Sequence, residues 1–251
     1  GDRAGAAVGN AALWQQLETQ TAATGEIPWI SQESPKRPPM LPLFGRVRTW
    51  LFDSLTMVTT IRPVPPPSTS SQQFRNELEE VLHYSRNATR EHIRIVHFWA
   101  DGVGTYTPPG HWNAIASEDF IAQRYSEVRW ARNMALLNMS LMDAAIACWD
   151  AKYFYFNPRP SQINPAVKTA TGLPNFPSYT SGHSTFSGAA ATILGHIIPA
   201  MKGKYSNMAK EASDSRLFGA IHYRSDCEKG LICGEKVGGY AIQRARTDGA
   251  E

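Results

Sequence analysis

A chain of 251 residues with 42% hydrophobic side chains can bury a full core, and its length fits one large domain or two small ones, with a single domain over residues 1–251 as the default. The formal charge is only +3 and the 25 Lys and Arg residues are scattered, which argues against a nucleic-acid stripe and a polybasic membrane anchor. The longest apolar stretch, Ala189 to Met201, is broken by His196 and Pro199 and falls well short of the roughly 20 residues that cross a bilayer, so no transmembrane segment is expected.

In chain order, residues 3–22 carry Val8, Ala11, Leu13 and Leu17 at near-helical spacing. Residues 25–69 are irregular and rich in proline. The Pro38–Pro39 pair and the triple at 65–67 favour extended backbone, which predicts a segment wrapping over a helical body. From Ser70 the pattern is helical, with Phe74, Leu78, Val81 and Leu82 in one stripe. Thr89, followed by Glu91 and His92, opens a second helix through Trp99. Gly102, Gly104, Pro108, Pro109 and Gly110 then interrupt the chain, and a third helix is expected to begin near His111 or Ser117.

The longest element should run from about Ser126 to Tyr155, where Val128, Ala131, Ala135, Leu141, Ala145 and Cys148 lie along an apolar face until Pro158 ends it. A last group of helices is expected over Ser184–Ala200, Ser206–Tyr223 and Cys227–Arg246. No segment alternates as a strand between hairpin turns, so the fold class is all-α, a helical bundle.

Cys148, Cys227 and Cys233 make neither a zinc pattern nor an even disulfide framework, although a Cys227–Cys233 bridge stays open. The chain begins at Gly1 without an initiator Met or a secretory signal, as a processed form or a fragment would; the reading leans to a periplasmic or secreted setting.

Three clusters carry chemistry, all within residues 149–226. The first is Lys152-Tyr-Phe-Tyr-Phe-Asn157-Pro-Arg159-Pro160, at the end of the long helix. Pro158 and Pro160 turn the backbone out, so two cations surround one mouth; alone, the pair also reads as a solvated helix end complementing the dipole. The second is Phe176-Pro-Ser-Tyr-Thr-Ser181-Gly182-His183, ahead of a helix. Small residues there let backbone N–H groups approach an anion at a helix N-terminus, and Ser181 is equally an N-cap. The third is Ser215-Arg216, then five residues, His222, three residues and Asp226. Read as one helix, it puts His222 and Asp226 four apart on one face, where the carboxylate accepts from one imidazole nitrogen and frees the other; an ordinary surface pair has the same spacing.

Taken together, the spaced motifs resemble the three-part signature shared by type 2 phosphatidic acid phosphatases, bacterial class A acid phosphatases and vanadium-dependent haloperoxidases, over about residues 97–240. The resemblance implies a helical bundle of the vanadium haloperoxidase and acid phosphatase type. It also implies that Lys152, Arg159 and Arg216 neutralise the equatorial oxygens of a tetrahedral oxyanion, phosphate or vanadate, with Ser181 and the Gly182 amide adding hydrogen bonds. His222 becomes the axial group, the vanadium ligand or the phosphoryl acceptor. His183 becomes the acid–base partner opposite it, and Asp226 orients His222.

Trp149 and Phe176 as pocket residues look like those of chloroperoxidase-type vanadium enzymes, and His97-Phe-Trp-Ala-Asp-Gly with Thr107-Pro-Pro-Gly-His-Trp112 is similar to bacterial haloperoxidase-related members. Thr180 departs from the proline usual in both families. The resemblance favours a haloperoxidase using vanadate, hydrogen peroxide and halide. A phosphatase acting on a phosphomonoester through a phosphohistidine, with no cofactor, is the alternative, and a non-catalytic oxyanion-binding module the third. A homodimer stays open, since proteins of this kind often pair.

Overall fold

The structure, a computed structural model, describes residues 22–250, so all but the last residue of the helix expected over 3–22 lies outside the described residues. Among those described there is no strand, and the all-α expectation holds. We label the main helices α1 (Gln72–Asn87), α2 (Arg90–Phe98), α3 (Thr107–Ala122), α4 (Glu127–Tyr155), α5 (Gly182–Ile197), α6 (Lys202–Phe218) and α7 (Arg224–Thr247). None is long and apolar enough to cross a membrane.

The starts of these helices are set locally. Ser71, Thr89, Ser126 and Ser181 each turn a hydroxyl onto a backbone N–H of the first turn, satisfying donors that would otherwise lack partners. α3 starts at Thr107, earlier than expected, because Pro108 and Pro109 occupy first-turn positions where a missing N–H costs nothing. α4 ends with Phe156 in the left-handed region (φ 54°), its N–H returned to the Lys152 carbonyl.

α5 is the central helix, packed against α7, α6, α4 and α3. It is buried nearly all round from Ser184 to Gly195, as an element rich in Ala, Gly and Ile must be. Its approach to α7 depends on glycine. A Cβ on Gly234 would lie 2.1 Å from the Thr185 carbonyl oxygen, and one on Gly188 would lie 2.4 Å from that of Leu231.

Residues 25–69 run along this body and are tied to it through backbone groups. The Trp29 N–H donates to the Phe156 carbonyl, Met40 N–H to the Asn175 carbonyl, and the amides of Trp50 and Leu51 to the buried Asp143 carboxylate. Arg62 makes a two-point pair with Asp150 of α4 at 2.6 and 2.8 Å. Two short helical pieces, Phe44–Arg46 and Ser54–Ile61, interrupt the segment.

The region after α5 corrects the sequence expectation. α6 ends at Phe218, where a single helix had been expected to continue to Tyr223. Gly219 caps it, Ala220 turns into the left-handed region (φ 56°), and a new helix begins at Arg224. A second, smaller apolar cluster of Phe74, Val81, Leu217 and Tyr223 holds this turn against α1. Glu77 of α1 accepts from the Ser225 N–H and hydroxyl, placing a carboxylate at the start of α7 where the helix dipole favours it.

The Cys227–Cys233 bridge is also corrected: all three cysteines are free. Both residues lie on α7, where a six-residue separation is roughly 9 Å along the axis, beyond disulfide reach.

Candidate active site

Lys152 closes the last turn of α4, and Arg159 stands just beyond the Asn157–Pro158 turn; both are fully buried. The loop over residues 174–181 encloses them. The Lys152 ammonium donates to the carbonyls of Pro177 (2.9 Å), Ser178 (2.9 Å) and Thr180 (2.6 Å). Arg159 donates to the carbonyls of Phe176 (3.1 Å) and Ile221 (2.8 Å), and its Nη1 lies 3.1 Å from His222 Nε2. Burying a cation is costly unless such partners replace water. Even so, burial lowers Lys152 to about 7, helped by the neighbouring Arg159 charge, and lowers Arg159 to about 10.

The ring of Phe176 lies over both cations, 4.7 Å from the Lys152 nitrogen and 5.3 Å from the Arg159 guanidinium carbon. Trp149 packs 5.0 Å from Phe176 at a tilted angle. The turn before α5 carries a cis peptide between Tyr179 and Thr180, at the position where the resembling families usually show proline.

His222 sits in the turn between α6 and α7, and Asp226 in the first turn of α7. The pair expected on one helix face is therefore made across a helix start. His222 Nδ1 lies 2.9 Å from Asp226 Oδ2, which also accepts from the Ser178 hydroxyl and the Tyr223 N–H (3.1 Å). Two neighbours fix the tautomer. Arg159 can only donate, so the nearby Nε2 accepts and the proton resides on Nδ1, pointing at Asp226. Burial and the surrounding cations hold His222 well below its usual pKa, so the imidazole is neutral near pH 7. Burial also raises Asp226, to about 6, against the pull of Ser178 and the Tyr223 amide.

Arg216, near the end of α6, completes the cationic set. Its Nη2 donates to the Trp99 carbonyl at 2.6 Å and its Nε to Ser215 Oγ at 2.8 Å, and burial lowers it to about 10. His183 occupies the first turn of α5, with Nε2 buried and without a hydrogen-bond partner among the described residues. Burial and the Arg216 charge push it well below its usual pKa.

The structure thus draws Lys152, Arg159, Ser181, Gly182, His183, Arg216, His222 and Asp226 into one region, in two ranks. Gly182, His183, Arg216 and His222, with Trp149 and Phe176, line a cavity of about 830 Å³. Lys152, Arg159, Ser181 and Asp226 do not line it, and the Ser181 hydroxyl is engaged as the cap of α5.

Sequence reasoning missed Asp101 and His111. Asp101, held in the left-handed region (φ 42°), accepts from His111 Nδ1 at 3.0 Å and lies 3.9 Å from His183 Nε2. Their only signal was the likeness of the two runs around them to haloperoxidase-related sequences. Ser178 was also missed, although it stands inside a quoted cluster.

Residues 133–248 match the model of the PAP2 superfamily. Among solved structures the fold is similar to that described as the first bacterial vanadium-dependent iodoperoxidase, with a TM-score of 0.76 and 26% identity, covering 92% of this chain and 64% of that one. It is also similar to the apo and holo forms of a bacterial vanadium-dependent chloroperoxidase, with TM-scores of 0.67 and 0.64. Those likenesses, at 13% and 14% identity, concern the fold alone; they cover 83% and 82% of this chain and 56% and 55% of those chains. The chain therefore spans less than two thirds of the length of each. A search of the curated proteins finds no match. The superfamily that the spaced motifs point to is the one the comparisons return, and its members are enzymes, haloperoxidases or phosphatases.

Proposed function

We propose that this chain is a vanadium-dependent haloperoxidase-like enzyme that oxidises halide with hydrogen peroxide. The observation that carries the reading is the placement of His222: its Nδ1 lies 2.9 Å from Asp226 Oδ2, and its Nε2 lies 3.1 Å from Arg159 Nη1, a donor that makes Nε2 the lone-pair nitrogen. The likeness to the iodoperoxidase over 92% of the chain supports the peroxidase branch over the phosphatase branch.

The residues fit vanadate on two counts. A tetrahedral oxyanion needs several cations and few competing carboxylates, and Lys152, Arg159 and Arg216 outnumber Asp226 and Asp101 around the pocket. His183 lines the same cavity as Arg216 and His222, and its Nε2, 3.9 Å from Asp101 Oδ2, is a buried polar atom without a hydrogen-bond partner among the described residues. Bound there, vanadate supplies a Lewis acid that activates peroxide without changing oxidation state.

The chain's own residues do the rest. Arg216 meets the anion's charge from the cavity side, while Lys152 and Arg159 supply positive potential from behind, in a site dry enough to keep that potential strong. His222 Nε2 would hold the ion through its lone pair. His183 takes or gives the proton at its Nε2, and Asp101 stabilises the imidazolium that results.

The test is a pair of assays on the full chain: vanadate-dependent formation of triiodide from iodide and peroxide, and hydrolysis of p-nitrophenyl phosphate. Halide oxidation that requires vanadate supports the reading. Phosphomonoester hydrolysis without it transfers the site to the phosphatase reading, in which His222 attacks phosphorus and His183 protonates the leaving oxygen. Neither activity, with phosphate still bound, leaves an oxyanion-binding module.

A further inference from the structure

The cavity over Arg216 and His183 is much larger than the proposed chemistry of halide and peroxide requires. At about 830 Å³ it falls in the upper part of the roughly 300–1,000 Å³ range that houses drug-sized ligands, whereas a tetrahedral oxyanion with peroxide fills a small fraction of that. Several separate pieces of chain line it, residues 100–103 and 107–109 among them. The wrapping segment contributes Met40, Leu41 and Phe44, α4 contributes Met142, and the 171–176 loop contributes Leu173 and Phe176. All six are only half-buried, so apolar surface of two aromatic rings and two thioethers faces the space.

Charge is confined to the two ends of this wall. Asp101 and Arg216 lie at the floor. At the rim Glu33 and Arg37 neutralise each other in an exposed pair. Among the described lining residues between them no side chain is charged, and Asn138 is a polar side chain on the α4 side. Such a wall penalises a charged ligand, which would be desolvated without a partner, and rewards an aromatic one through ring and sulfur contacts.

We propose that this cavity binds a neutral aromatic organic molecule, with its ring held over the His183 and Arg216 floor, and that this molecule is the acceptor of the oxidised halogen. The inference rests on the haloperoxidase reading for the second half of that statement only. The chemistry balances: halide, hydrogen peroxide and a proton give hypohalous acid and water. An aromatic carbon then takes the halogen, its C–H proton leaves with the hydroxide as water, and the halogen returns to the halide oxidation level while the carbon is oxidised.

The experiment has a binding arm and a kinetic arm. In the binding arm the full chain, without vanadate, is titrated with N-phenyl-1-naphthylamine, a neutral probe whose fluorescence rises in apolar surroundings. Saturable one-site binding is expected, weakened about tenfold or more by Met142→Trp, which fills the α4 side of the cavity. Leu173→Trp, on the loop side, provides a second variant, and thermal melts confirm that both are folded. In the kinetic arm, iodination of 2-naphthol is compared with triiodide formation. The ratio should saturate with naphthol, fall when the probe is added, and drop in both variants.

No probe binding, or binding indifferent to both variants, overturns the cavity proposal whatever the halide result. Triiodide formation with a naphthol ratio that neither saturates nor responds to the probe means a freely diffusing oxidant and overturns the acceptor role. Probe binding with no halide oxidation leaves the ligand class standing and removes the peroxidase reading.

Discussion

Replacing Asp226 with asparagine probes the geometry on which the proposed chemistry depends. Asp226 Oδ2 receives His222 Nδ1–H at 2.9 Å, the Ser178 hydroxyl and the Tyr223 amide, while Oδ1 has no partner among the described residues. An asparagine has two ways to fit. With its oxygen in the place of Oδ2, the hydrogen bonds survive without charge assistance, and the NH₂ group is buried where nothing accepts from it. With the amide reversed, NH₂ faces Nδ1, the imidazole must carry its proton on Nε2, and that proton then opposes the Arg159 N–H 3.1 Å away. Either arrangement costs about 1–3 kcal/mol, the range for a stranded buried donor or a lost charged hydrogen bond. At 1.36 kcal/mol per decade this corresponds to a fall in kcat/KM of roughly 5–150-fold, in line with the about 10–100-fold effects of groups that orient metal-bound histidines. The assay is steady-state triiodide formation with saturating vanadate, alongside ¹⁵N chemical shifts of the His222 ring that report its tautomer. A variant with kcat/KM within about twofold of the parent, and an unchanged tautomer, would refute the argument that Asp226 sets the reactive nitrogen.

The remaining predictions test other parts of the site and the fold. His222→Ala should abolish either chemistry, whereas His183→Ala should retain oxyanion binding by calorimetry and lose turnover; equal activity in both variants and the parent contradicts the assignment. Arg216→Ala removes a buried charged donor, typically worth about 1.5–3 kcal/mol, so the Kd for phosphate or vanadate should rise roughly 10–150-fold. Sulfate affinity, followed by calorimetry because sulfate keeps its charge over the range, should be highest in acid and fall as pH rises towards and through about 7. Lys152 loses its ammonium charge above that pH, and Asp226, raised to about 6, gains its negative charge over the lower part of the window and acts in the same direction. In Lys152→Arg the upper part of that fall should disappear, because a guanidinium stays charged. Gly234→Ala places a methyl 2.1 Å from the Thr185 carbonyl oxygen, and the forced separation of α5 and α7 should lower the circular-dichroism melting midpoint. Overpacking of this kind costs about 1–3 kcal/mol or more, and each kcal/mol lowers Tm by roughly 2–4 °C at this chain length.

Much of this protein is determined by local sequence. Helices begin where Ser71, Thr89, Ser126 and Ser181 cap them and where apolar residues recur at helical spacing, because both effects act within a turn of the chain. The types and spacings of Lys152, Arg159, Ser181, Gly182, His183, Arg216, His222 and Asp226 are likewise legible, since the resemblance to the superfamily is carried by them.

What the sequence could not decide depends on contacts between distant residues. The break at Gly219–Ala220 is held by Phe74 and Glu77 of α1, more than 140 residues away, so a helical pattern through His222 gave no sign that the His222–Asp226 pair would form across a helix start. The division between cations that face the cavity and those behind it follows from the 174–181 loop, whose carbonyls make burial of Lys152 and Arg159 tolerable. Asp101 reaches His183 only because α2 and α6 pack together, with Arg216 gripping the Trp99 carbonyl at the end of α2. Periodicity reports which side of a helix is apolar; it carries no information about which carbonyl or carboxylate, scores of residues distant, will stand in for the water that a buried charge has lost.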